Sequence, residues 1–287
     1  MKGRPRRRPT AAATALRTAL LLFLLAGSGA CARAIKEAPP LLDLAGGGPA
    51  PAREEVDALL REAGAAFARR DAASVRQAAT IFLRAATGDP ARVEGVLGAV
   101  AAQVWLADHE KEGREREAAA TKAVQAVQWC ERASPALPAC SYWMGAALGV
   151  QARERPATGV SALPRIEAAF QKAAEQDPAL DDGAPDRALA LLYLRAPGWP
   201  TGPGDPERGL LHARKALAIA PEHPLNLMAL AEALQATGDA GGSREAWEKA
   251  AARARDLVAQ GDPDAREWVL ESEQALQALK GQAGRGD

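Results

Sequence analysis

Aromatic residues are scarce in this sequence, at 4% of its 287 residues, and runs of β-branched residues are nearly absent. Strands are built from both, so an extensive sheet is excluded. Excess charge is also missing, with 36 Lys and Arg against 36 Asp and Glu. A dedicated nucleic-acid binder needs surplus positive charge to displace counterions, so no nucleic-acid partner is expected. The three histidines, His109, His212 and His223, stand far apart, and no HExxH, P-loop, GxSxG or CxxC motif occurs. Gly202-Pro203-Gly204 is too short and too Pro-laden to cradle a phosphate. Hydrolytic and metal chemistry therefore have little to stand on, and neither an enzyme, a metal site nor a cofactor is expected.

Good helix formers fill the space that these absences leave. Ala, Leu, Glu, Arg and Gln dominate, and the chain reads as all-α. Alanine supplies much of the 48% hydrophobic content. Such a core is lean in bulk but lets helices approach closely.

The N-terminus reads as an address. Lys2, Arg4, Arg6, Arg7 and Arg8 precede a short apolar run at residues 19–26, and small residues follow. A membrane-spanning helix needs about 20 apolar residues, and Arg17 cuts this run short, so residues 1–30 read as a secretory signal. Ser28-Gly29-Ala30-Cys31 resembles the lipobox of bacterial lipoproteins, with Ser28 where Leu is usual. Cys31 would then carry the lipid, and the absence of Asp after it implies an outer-membrane destination. Ordinary signal-peptidase cleavage within Ala30-Cys31-Ala32 is the alternative. Pro39, Pro40, Gly46, Gly47, Gly48, Pro49 and Pro51 interrupt residues 31–53, which read as a tether.

From residue 54 to about 280 one phrase recurs, of the form small–x3–apolar–x2–small–x4–Pro. Its copies are Ala78-Phe82-Ala85-Pro90, Ala123-Val127-Cys130-Pro135, Ile166-Phe170-Ala173-Pro178 and Gly209-Ala213-Ala216-Pro221. The prolines are spaced by 45, 43 and 43 residues. Offsets of four and seven put three residues on one helical face, and the proline ends the helix. The phrase resembles the second helix of a tetratricopeptide repeat. Partner helices are expected at residues 56–69, 93–108, 140–152, 185–194 and 224–237, with a last second-type helix at 243–259 and a polar cap at 263–279. The expected fold is therefore a superhelix of about five helix pairs plus a C-terminal capping helix, with residues 281–287 as a disordered tail. A generic helical bundle is the alternative. The period exceeds the usual 34 residues. The excess falls in two inserts, residues 153–163 and 196–206, and inserts in solenoids often mark the binding face.

One stretch carries a narrower resemblance. Asp186-Arg187-Ala188-Leu189, Leu191-Leu192-Tyr193-Leu194-Arg195-Ala196-Pro197-Gly198-Trp199-Pro200, Gly202 and Gly204-Asp205-Pro206-Glu207 resemble the T-component family of TRAP transporters, periplasmic tetratricopeptide lipoproteins. Tyr142-Trp143 and Trp105 are similar to that family too. The likeness spans roughly residues 55–260. It implies a central cavity, a TRAP substrate-binding subunit as partner, a hydrophobic or amphipathic small ligand, trimeric assembly, and a periplasmic, lipid-anchored protein of a Gram-negative envelope. Without that family, the chain reads as a general envelope scaffold or pilot protein with some other periplasmic partner.

The residues singled out as candidates each have a plainer reading. Tyr142, Trp143, Tyr193, Arg195 and Trp199 are aromatic or cationic side chains suited to a cavity wall or partner surface, or to packing. Trp199, between Gly198 and Pro200, either plugs the enlarged loop or walls a ligand cavity. Arg187, beside Asp186, is a candidate contact or a helix-start charge. Cys130 and Cys140 lie across one turn and form a disulfide in an oxidising compartment, or else are two buried thiols.

Overall fold

The computed structural model describes residues 37–283. The expected signal at residues 1–30, Cys31 and the last four residues lie outside the described residues. No strand occurs among the described residues, and helix makes up 78% of them, almost all of it in twelve α-helices. They are α1 (Leu41–Leu44), α2 (Val56–Phe67), α3 (Ala72–Gly88), α4 (Glu94–His109), α5 (Gly113–Ala133), α6 (Pro138–Glu154), α7 (Pro156–Gln176), α8 (Ala184–Arg195), α9 (Pro206–Ile219), α10 (Pro224–Ala236), α11 (Ala240–Gln260) and α12 (Ala265–Ala283).

The recurring phrase explains both the packing and the ends of four helices. Its first three positions are buried in all four copies. Helices α3, α5, α7 and α9 end at Gly88, Ala133, Gln176 and Ile219, two residues before the phrase's proline. The intervening residue is extended in every copy, at φ between −150 and −132°. A residue before proline is pushed out of the helical region, so the stop is steric. Starts are set as locally. Asp71, Asp205 and Asp239 accept hydrogen bonds from first-turn amides, and proline opens α6, α7, α9 and α10. The next proline after α11 is Pro263, and the helix ends on Gly261 in the left-handed conformation, φ 84°.

Consecutive helices pack as pairs, and α12 closes the series against α11. A second set of contacts joins alternate helices: α2 to α4, α4 to α6, α8 to α10 and α10 to α12. This set is interrupted between α6 and α8. The row also curves back on itself. Arg70, after α2, makes a bidentate pair with Asp264, just before α12, at 2.5 and 2.7 Å. His109 Nε2 meets the Glu267 carboxylate at 3.1 Å.

Two segments differ from their expectation. The first is the tether, which from residue 37 onward lies against α3 and α5. Ala38, Leu41 and Ala45 are buried, the Trp129 indole N–H donates to Pro39 O at 3.0 Å, and the Ala38 amide donates to Gln128 at 2.9 Å. Its prolines and glycines permit only the four-residue α1, but its few apolar side chains find a groove. The second is the insert at 153–163, which is mostly the first half of α7. Pro156 begins that helix and Pro164 sits inside it. Gly159 lets it approach α6, since a Cβ there would meet Ala152 O at 2.6 Å. The insert at 196–206 is a compact loop. Gly204 N donates to Pro197 O at 2.8 Å and Asp205 N to Tyr193 O at 2.9 Å.

Candidate functional site

The interruption between α6 and α8 leaves a cavity of about 600 Å³. Its floor and walls come from α4, α6, α7, α8 and the residues just after α8. Volumes of this size suit small molecules. The lining is almost wholly aliphatic: Val104, Val150, Val160, Leu163, Ile166, Leu191 and Leu192 are typical, and Phe170 is its one aromatic ring. Val160, at 44% exposure, is among the most exposed large apolar residues described. Only Arg153 and Arg195 bring charge to the lining. Arg153 pairs with Asp108 at 2.5 Å and Glu154 at 3.0 Å, and Arg195 grips Glu232 at 2.6 and 3.2 Å. Other depressions are different in kind. One around His223 carries Asp182, Glu222, Arg253 and Asp256, and one around His212 carries Glu175 and Lys215.

The candidate residues do not converge on one place. Arg195 lines the cavity, but Tyr142, Trp143, Arg187, Tyr193 and Trp199 do not. Tyr193 is 1% exposed, donates to Glu167 at 2.8 Å and has the Arg208 guanidinium 3.9 Å above its ring. Burial, reinforced by Glu167, pushes its hydroxyl pKa up. Arg187 is buried too and donates to Asn226 at 2.7 Å. Asn226, fully buried, donates in turn to the carbonyls of Asp182, Ala216 and Ala220. Beside them Asp186 meets His212 at 2.6 Å. These groups bind α8, α9 and α10 together, which is a packing role. Tyr142 packs edge-on to Trp143 with ring centroids 5.3 Å apart, and burial pushes its hydroxyl pKa up.

Trp199 is neither plug nor cavity wall. It is 90% exposed at the tip of the 196–206 loop. Pro197, two residues earlier, does line the cavity. Cys130 and Cys140 are joined by a disulfide, with Cα atoms 5.4 Å apart, where α5 turns into α6.

No protein-family model matches the chain, and no curated protein matches it either.

The cavity's own residues escaped sequence reading because most are ordinary helix apolars. Two signals were present. The 153–163 insert supplies Pro156, Gly159, Val160 and Leu163, and Gly149 breaks the run of α6 without a turn to justify it.

Proposed function

We propose that this chain is a non-catalytic periplasmic binding protein, the accessory T component of a TRAP-type transporter, built from tetratricopeptide-like helix pairs. In this reading the cavity between α6 and α8 holds a hydrophobic small molecule, and the Trp199 loop engages the substrate-binding subunit. The observation that carries it is continuity. One loop contributes Pro197 to the apolar cavity and presents Trp199 to solvent two residues later. An exposed tryptophan on a stiff loop is the usual anchor of a protein interface. A partner docked there would sit beside the mouth of the ligand site.

The test is capture from periplasmic extract of the source organism by the full chain and by Trp199→Ala. The expected result is recovery of a TRAP substrate-binding subunit, reduced at least about tenfold by the substitution, since a hot-spot tryptophan contributes about 2 kcal/mol or more. Failure to recover that subunit although the extract contains it would overturn the transporter reading. Recovery of envelope-assembly or secretion components instead would support the scaffold or pilot alternative.

A further inference from the structure

Gly149 has no packing reason to be glycine. It lies inside α6, where alanine makes the better helix. A Cβ built on it meets nothing within 4 Å. Its neighbours in sequence differ: a Cβ at Gly145 would meet the Phe170 ring at 2.6 Å, and one at Gly159 the Ala152 carbonyl at 2.6 Å. Those two glycines close a contact. Gly149 keeps a space open, and the space is the cavity.

The lining restricts what can fill that space. Its body carries no hydroxyl, amide or carboxylate side chain. A ligand with polar groups along its length would leave them unpaired at a substantial desolvation cost. Polar partners occur only as Arg153 and Arg195, in the last turns of α6 and α8. A guanidinium has five N–H donors and no acceptor. Arg195 spends two donors on Glu232, and Arg153 spends three, on Asp108, Glu154 and the Ala107 carbonyl. The carboxylates hold the two planes in place and leave donors over. A head group meeting them must accept hydrogen bonds, and a negative charge strengthens that contact.

We propose that the cavity takes a single-chain aliphatic amphiphile with an anionic, hydrogen-bond-accepting head, its chain along Gly149 and its head at the Arg153 and Arg195 end. This rests on the reading of the cavity as a ligand site. A free long-chain carboxylate and a lysophospholipid share this chemistry, while a long-chain alcohol has the same tail without the charge.

The test is displacement of a dansyl-labelled undecanoate from the full chain by palmitate, lysophosphatidylglycerol and hexadecanol, with folding followed by circular dichroism. Palmitate or lysophosphatidylglycerol, whichever is the better source, is expected to bind at least about tenfold more tightly than hexadecanol, as charge-assisted hydrogen bonds predict. The double variant Arg153→Gln/Arg195→Gln should remove that difference by weakening the anion more than the alcohol. Glu232→Gln, which removes one of the two acceptors facing Arg195 together with the carboxylate's negative charge, should tighten the anion. Gly149→Phe should abolish all three. Equal binding of the anions and the alcohol to the native chain overturns the head assignment and leaves the apolar cavity standing as a ligand site. No displacement by any of them overturns the cavity reading itself. Unchanged binding in a folded Gly149→Phe places the site elsewhere. If that variant does not fold, the arginine pair decides.

Discussion

Gly145 and Gly149 sit about one turn apart on α6 under opposite constraints. Gly149→Ala adds a methyl group in open space and removes the entropic penalty of glycine. It should stabilise the unliganded chain by about 0.5–1 kcal/mol. Gly145→Ala drives a methyl into the Phe170 ring and should destabilise by about 1–3 kcal/mol. Urea denaturation of both variants checks the pair. His223 supplies a pH signature. Burial, and then the nearby Arg187 charge, hold its pKa below the usual imidazole value. The unfolded chain therefore takes up a proton that the native chain refuses. Its contribution is present above about pH 6.5 and is lost as pH falls from there through the lowered native pKa. His223→Gln should flatten that part of the stability profile. Glu271 has the opposite sign: burial and the Glu232 carboxylate push its pKa up, so protonation favours the native state and stability rises as pH falls through that raised pKa.

The disulfide and the α1 segment act on whole elements. Cys130 and Cys140 are ten residues apart in sequence and pin the α5–α6 turn. Closing a loop of that length constrains the unfolded chain, so reduction should cost about 2–3 kcal/mol, read as a lower melting temperature in reductant. Leu41 is the buried side chain of α1, and Leu41→Ala should cost about 2 kcal/mol, or less where the segment can lift away from α3 and α5. The helix boundaries were legible in the sequence because their causes are local. A proline two residues past the end, or an aspartate before the first turn, acts within a few residues. The docking of residues 37–45 was not legible, since it depends on a groove between helices that lie far along the chain. The same holds for the cavity. Gly149 is an anomaly within α6, but that α6 and α8 part depends on the helices around them, and Arg195 was legible only as a cation near an unusual loop. The aromatic residues that looked most like a site, Tyr193 above all, proved to be packing between α8 and its neighbours.

Across the described helices, two long-range side-chain pairs close the row. Arg70 and Asp264 join segments 194 residues apart, and His109 and Glu267 join segments 158 apart. Asp264→Ala should loosen this closure and increase amide exchange in α2 and α12 ahead of the interior helices. Partly exposed ion pairs are screened, so the native closure should also weaken with salt. The central claim is that the chain holds a hydrophobic small molecule between α6 and α8. Native mass spectrometry of the full chain tests it most directly. The account predicts a bound small molecule that organic extraction removes and that is missing from folded Gly149→Phe. A native chain that carries no such mass and takes up no aliphatic amphiphile when offered one would contradict it.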